Sequence, residues 1–305
     1  MPSARDAFLA YRKSLPRPPR LARAVVRARG LDLAVYTTPR VDGDALPLLC
    51  VNGGLIFDHR LLWPALSPLA ARRQLVLFDQ RGRGASQAPP GPQAARIEHD
   101  AGDIPALREA LSIARWDILG HSWGGGLAAL AVARDQDAVR RLVLVDAVGP
   151  TSAWMARLQP DGVARLGGHG DPHGARLAAF GMAELTSLDP ELQTAWANAI
   201  YPAWFADREL AKMFTPPTSA SRTGAAVAAR LRRDGYDWRA ALGALRVPTF
   251  VMHGAEDLLP VAVAEELART IPGSTIALVP GAGHMPFWEA PERFFPLVEE
   301  FLGAS

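Results

Sequence analysis

Short runs of almost uninterrupted apolar residues alternate along the chain with longer stretches in which apolar positions recur at helical spacing. The runs LDLAVYT (31–37), LPLLCV (46–51), QLVLFD (74–79), WDILG (116–120), RLVLVD (141–146), TFVMHG (249–254) and TIALVP (275–280) predict strands. Several of them lack a polar face, as strands covered on both sides require. Helical periodicity predicts helices at about 60–70, 97–112, 122–134, 261–270 and 291–302, the last opened by Pro291 and Glu292, residues suited to a first turn. Strand and helix in alternation predict an α/β fold: a mostly parallel central sheet flanked by helices.

One interval breaks the alternation. Between about 151 and 246 no strand pattern occurs, and the segment is rich in Ala, Arg and aromatic residues: Trp154, Phe180, Trp196, Tyr201, Trp204, Phe205, Phe214, Tyr236 and Trp238. Gly167, Gly168, Gly170, Gly174, Pro216 and Pro217 divide it into short helices. A helical insertion between two strands lies over the carboxyl edge of the sheet, where ligands bind in open α/β sheets, so the segment reads as a cap. The expected division is a core of residues 1–150 and 247–305 and a helical cap of 151–246.

The composition narrows the partners. The chain has 305 residues, with 33 Lys plus Arg against 31 Asp plus Glu, and a net charge of +2 gives no reason to expect nucleic acid. Cys50 is the single cysteine, which precludes an internal disulfide and fits a reducing compartment; inside the apolar run LPLLCV it reads as a small core residue. The N-terminal stretch MPSARDAFLAYRKSLPRPPR is basic and broken by proline, unlike a secretory signal, and no apolar run is long enough to span a bilayer. A cytoplasmic protein without membrane contact is the expectation, with its oligomeric state open.

The candidate chemistry centres on GHSWG (120–124), which matches the G-x-S-x-G turn that holds a nucleophilic serine between a strand and a helix. WDILG supplies the strand and WGGGLAALAVAR the helix, whose small face of Gly124, Gly125, Ala128 and Ala131 can pack closely on a sheet. A serine capping a helix would look similar, its hydroxyl merely satisfying a free amide. A serine hydroxyl attacks only when a base removes its proton and a third group holds the base. In chain order Ser, acid, His, the sequence offers Ser122, then Asp257 in HGAEDLLP, then His284 in GAGHMPFWE, both in loops that follow strands. Asp146, at the end of an earlier strand, is the alternative acid, and Glu256 adjoins Asp257. His253 and His121 read as structural, with His121 turned away from the serine; His59 and His99 carry no signal. His169 and His173 flank Asp171 in a glycine-rich loop that lacks the rigid element a metal site needs, so no metal and no organic cofactor is expected.

Acyl transfer passes through an oxyanion that needs preorganised amides. The N–H of Trp123 is one candidate; the other is Gly54 in CVNGGLIFDH, with Leu55 as the alternative. In FDQRGRGAS (78–86), Asp79, Arg81 and Arg83 read as anion–cation pairing that braces the loops.

With these residues in place, the chain resembles the α/β-hydrolase superfamily from about Leu31 to Leu302. NGG (52–54), FDQRGRGAS, GHSWGG (120–125), HGAED (253–257) and GAGHMPFWEAPE (281–292) are similar to the proline iminopeptidase branch and its esterase-like relatives. That branch usually carries His-Gly-Gly-Pro-Gly at the oxyanion loop; here Asn52 stands in place of the histidine, and Leu55 and Ile56 in place of Pro-Gly, so strict proline specificity is not carried over. The resemblance implies cap carboxylates that take a peptide's amino terminus, for which Glu184, Glu191, Asp207 and Glu209 are available. Candidate substrate contacts are Leu55, Trp154, Trp204 and Glu209.

The expected activity is hydrolysis of a small ester, amide or short peptide by Ser122, His284 and Asp257 through an acyl-enzyme. The same three residues also suit C–C bond hydrolysis, perhydrolysis or lyase chemistry, and a ligand receptor on a hydrolase shell is the non-catalytic alternative.

Overall fold

A computed structural model describes residues 3–303. Eight strands form one sheet: β1 (Ala22–Ala28), β2 (Leu31–Thr37), β3 (Leu48–Val51), β4 (Leu75–Phe78), β5 (Trp116–His121), β6 (Val139–Val145), β7 (Thr249–Gly254) and β8 (Thr275–Val279). Their order is β1-β2-β4-β3-β5-β6-β7-β8. β1 and β2 form an antiparallel hairpin and β2 runs antiparallel to β4, while every pairing from β4 onward is parallel.

The seven apolar runs all become strands, two with the expected ends and the rest with ends displaced by at most two residues. β1 was not expected, because ARAVVRA is largely exposed and carries two arginines, as an unshielded edge strand does. The helix expected at about 60–70 is instead two 3-10 turns, His59–Leu61 and Ser67–Ala71, with Pro64 and Pro68 denying the backbone donors of a continuous helix.

Helix α1 (Ala4–Ser14) precedes the sheet, and α2 (Ile97–Ala110) and α3 (Trp123–Val132) connect its central strands. Between β6 and β7 lie α4 (Met155–Arg165), α5 (Pro172–Ala178), α6 (Met182–Leu185), α7 (Pro190–Ile200), α8 (Arg208–Ala211), α9 (Arg222–Asp234) and α10 (Arg239–Gly243). The chain closes with α11 (Val261–Thr270), α12 (Pro286–Glu289) and α13 (Pro291–Gly303).

Alternation along the buried strands feeds two cores. Leu49, Val51, Val76 and Phe78 face α2 and α3, whereas Leu48, Cys50, Leu75 and Leu77 face the layer of α13. Cys50 is fully buried, and burial pushes its thiol pKa well up, which suits the expected core role. The segment between β6 and β7 contributes no strand to the sheet and packs a separate apolar cluster of Val163, Leu166, Leu177, Ile200 and Ala203, onto which Leu258 docks from the loop after β7. Among the described residues no helix is long and apolar enough to cross a membrane.

Candidate active site

The parallel strands deliver their loops to one rim of the sheet, and each candidate catalytic and oxyanion residue sits in such a loop or at its edge. Ser122 follows β5 with φ 55° and ψ −123°, a left-handed conformation that costs on the order of 1–3 kcal/mol and persists only where the surroundings impose it. Here they do. Its N–H donates to the Val145 carbonyl at 2.8 Å, and its own carbonyl accepts from Gly125 at 2.9 Å and Val148 at 3.2 Å. The turn also depends on the absence of side chains: a Cβ on Gly124 would lie 2.2 Å from the Val51 carbonyl oxygen. On the facing loop, a Cβ on Gly53 would lie 2.6 Å from Cβ of Ser122. The Ser122 hydroxyl makes no capping bond to α3, so the helix-cap reading is not what holds it.

His284 lies in the loop after β8, and its Nδ1 is 2.7 Å from Oδ2 of Asp257 in the loop after β7. Both side chains are buried. Burial alone would raise the Asp257 pKa, but the adjacent His284 charge and hydrogen bond outweigh it and hold the carboxyl below its ordinary value. Asp146, at the end of β6 with φ 45°, accepts from the Gly254 N–H at 2.7 Å rather than from His284. Burial, and then the neighbouring Asp257 charge, raise the Asp146 pKa well above the usual carboxylate range. Of the two acids that order along the chain leaves open, Asp257 is therefore the one in contact with the imidazole.

Three features support this arrangement: a contact from Trp204 beyond its expected place in the pocket, Glu289, which the sequence did not single out, and His121, read there as structural. The His284 N–H donates to the Trp204 carbonyl at 2.7 Å, and the Trp204 ring stacks on the imidazole with centroids 4.2 Å apart. Glu289, on α12, accepts from the N–H groups of Gly283 and Met285 on either side of His284 and from Ala206 across the gap, at 3.0, 3.1 and 2.6 Å. Burial prevails over these three donors and pushes the Glu289 pKa up to about 7. His121 donates from Nε2 to the His284 carbonyl at 2.8 Å, and burial, then the nearby His284, lower its pKa to about 3, so it is a neutral strut.

The loop after β3 is held from two sides. Asn52 Nδ2 donates to the carbonyls of Gly53 and Phe57 at 3.2 and 3.3 Å, and Arg83 Nε donates to the Leu55 carbonyl at 2.9 Å. Gly54 has φ +70°, and both Gly54 and Leu55 face the cavity that Ser122 lines. Trp123 opens α3, so its N–H has no acceptor within the helix. The brace read in FDQRGRGAS has partners other than those expected: Arg81 pairs with Asp103 and Arg83 with Asp100, both on α2, while Asp79 takes His59, Oδ1 to Nδ1 at 2.8 Å.

Ser122 and His284 line an apolar cavity of about 90 Å³ together with Trp196, Ile200 and Trp204. An adjoining cavity of about 460 Å³ extends from Ser122 and Trp123 past Trp154, Met155 and Leu185. Of the candidate substrate contacts, Leu55, Trp154 and Trp204 face these cavities and Glu209 does not; it is exposed on α8 and pairs with Lys212. Glu184, Glu191 and Asp207 are likewise absent from both linings, each being drawn to the surface or to a helix end by its own hydration and capping bonds. Trp196 and Arg232, not selected from the sequence, face both cavities. Asp171, between His169 and His173, caps α5 through the His173 N–H at 2.8 Å and pairs with Arg208.

The family model described as Alpha/beta hydrolase family matches residues 48–297. A 2-hydroxymuconate semialdehyde hydrolase of Pseudomonas putida is 31% identical over 247 residues, 76% of this chain and 78% of that protein. A proline iminopeptidase of Lactobacillus helveticus is 26% identical over 271 residues, 84% of this chain and 89% of that protein. Among solved structures, an esterase from Rhodococcus sp. ECU1013 superposes with a TM-score of 0.70 at 23% identity, over 93% of this chain and 98% of that one, a likeness of fold.

Proposed function

The chain belongs to the alpha/beta hydrolase family and is an enzyme of that fold; from that premise we propose that it is a serine hydrolase cleaving a small ester or amide beneath a helical cap formed by residues 151–246. Ser122 is the nucleophile, His284 the base and then the acid, and Asp257 the group that fixes the imidazole. With Nδ1 donating to Asp257, His284 offers Nε2 to the Ser122 hydroxyl. Oγ attacks the substrate carbonyl carbon as its proton passes to Nε2, and the N–H groups of Trp123 and Gly54, with Leu55 as the alternative second donor, receive the oxyanion. Collapse expels the alcohol or amine, which takes the proton from His284. Water, deprotonated by the same imidazole, then releases the acid and restores Ser122.

The observation that carries this reading is a strained serine sharing one cavity with a histidine whose far nitrogen is bound to a buried carboxylate. Neither cavity lining contains a carboxylate, so nothing there is suited to a free amino terminus, and esters are favoured over aminopeptidase substrates. The likeness to a 2-hydroxymuconate semialdehyde hydrolase supports a second reading, hydrolysis of a C–C bond by the same residues.

A fluorophosphonate probe tests the assignment. Covalent labelling of the native protein at Ser122, lost in Ser122→Ala together with turnover of a 4-nitrophenyl ester panel, is the expected result. A native protein that resists the probe, or a Ser122→Ala variant that still turns over esters, overturns it.

A further inference from the structure

Arg232 projects from α9 into the space above Ser122 and lines both cavities. It is the only residue in either lining with a permanent charge. Its protein partners are all neutral: Nη1 donates to the Leu185 carbonyl and to Gln193 Oε1 at 3.2 Å, and the guanidinium lies over the Trp196 ring, 4.7 Å from its centroid. Among the described residues no carboxylate pairs with it, and its Nε and Nη2 have no protein acceptor. Burial draws its pKa down to about 10, which leaves it protonated at neutral pH.

An unpaired cation in an apolar cavity is costly, because water is displaced and no anion replaces it. The neutral contacts fix the plane of the guanidinium while leaving a forked pair of donors free, the geometry that accepts a carboxylate on two hydrogen bonds. We infer that Arg232 is a substrate-binding residue that recognises a carboxylate on the part of the substrate remote from the scissile carbonyl. This rests on the serine hydrolase reading and deepens it: the substrate is an apolar ester, or the corresponding C–C substrate, bearing one negative charge. One cation with no second donor of charge suits a monoanion; a phosphate dianion would retain an uncompensated charge in an apolar space.

Two matched pairs test the inference, one for each side of the scissile bond. Mono-4-nitrophenyl glutarate is compared with 4-nitrophenyl pentanoate, and 4-acetoxybenzoate with 4-methylphenyl acetate. In at least one pair the anionic member is favoured about tenfold or more in kcat/KM, as a charge-assisted pair out of water supplies, with the difference carried by KM. In Arg232→Gln that ratio falls to about one or below, and Arg232→Lys restores part of it. A preference for the neutral member in both pairs, or a preference that survives in Arg232→Gln, overturns the inference.

A binding measurement separates its failure from failure of the hydrolase reading. Hexanoate and hexanamide are titrated calorimetrically into Ser122→Ala and into Ser122→Ala/Arg232→Gln. Tighter binding of the acid, lost with Arg232, supports the inference even if the fluorophosphonate fails to label Ser122. Equal binding of acid and amide overturns it even if labelling succeeds.

Discussion

Asp146 and Asp257 place their carboxyl oxygens within 4.8 Å of each other and of the His253 ring, all three side chains buried, yet the pKa values of the two acids are pushed in opposite directions. The adjacent His284 holds the Asp257 pKa below its ordinary value despite burial, whereas burial and then the Asp257 charge push the Asp146 pKa well above the usual carboxylate range. Asp257→Asn should therefore lower kcat by about 10³–10⁴-fold, because the amide presents the wrong hydrogen-bonding partner to Nδ1. Asp146→Asn keeps an oxygen that can accept from the Gly254 N–H and leaves the Asp257–His284 contact in place, and should stay within about tenfold of the wild type, the range left by a small displacement of a supporting group. Steady-state kinetics of the two variants on one ester check the assignment, and equal losses would contradict it.

Glu289 makes stability depend on pH in a stated direction. Its pKa, about 7 in the fold against an ordinary 4.5, means that its contribution is full below pH 4.5 and is lost as pH rises toward 7. The loss through this group is on the order of 3 kcal/mol by pH 7. Urea titrations at pH 4.5, 5.5, 6.5 and 7.5 should show wild type declining relative to Glu289→Gln, which does not titrate. The glutamine variant should start lower, since its amide N–H opposes a backbone donor that Glu289 accepts. Parallel curves across the window would show that the group does not titrate there.

Gly53→Ala should impair turnover more than folding. The added methyl would lie 2.6 Å from Ser122 Cβ and 2.9 Å from the His121 carbonyl oxygen, so the loop or the serine must move. A displacement of this size costs about 10²-fold in kcat when it lies at the reacting group. Esterase kinetics beside a circular dichroism melt separate the two effects: unchanged kcat would mean that the loop yields without disturbing Ser122.

Arg83 links the loop after β3 to α2 through the Leu55 carbonyl and Asp100, with no exposed side-chain surface. Arg83→Met leaves the buried Asp100 with only the longer Arg81 Nε contact, 3.7 Å, and should cost about 3 kcal/mol in chemical denaturation. Arg83→Met/Asp100→Leu removes both charges and should recover much of that loss. A double variant no more stable than the single would place the main contribution in the Leu55 contact.

What could be read from the chain depended on how local the governing physics was. The buried strands and the serine turn were legible because apolar runs and a five-residue backbone requirement are contained within short windows, as with β7 and GHSWG. β1 is not legible because its inward positions are the small residues Ala22, Ala24, Val26 and Ala28, mostly exposed and interleaved with Arg23 and Arg27, too weak a face to stand out. Glu289 lay in view in GAGHMPFWEAPE, but its three amide partners come from Ala206, Gly283 and Met285, two of them only brought near by the turn of α12 and one from a distant segment. Arg232 stands in RTGAAVAARLRRD, where arginines on an amphipathic helix ordinarily point to water. Only the packing of α9 over the cavity turns this one inward, and no spacing rule encodes that.

The His284 amide hangs from the carbonyl of Trp204, and the indole of the same residue covers the imidazole. The wall of the cavity and the suspension of the proposed base are thus one piece of chain. Any displacement of residues 204–206 would therefore act on the imidazole as well as on the cavity wall, so a change made to shape the chamber at Trp204 is felt at His284 too.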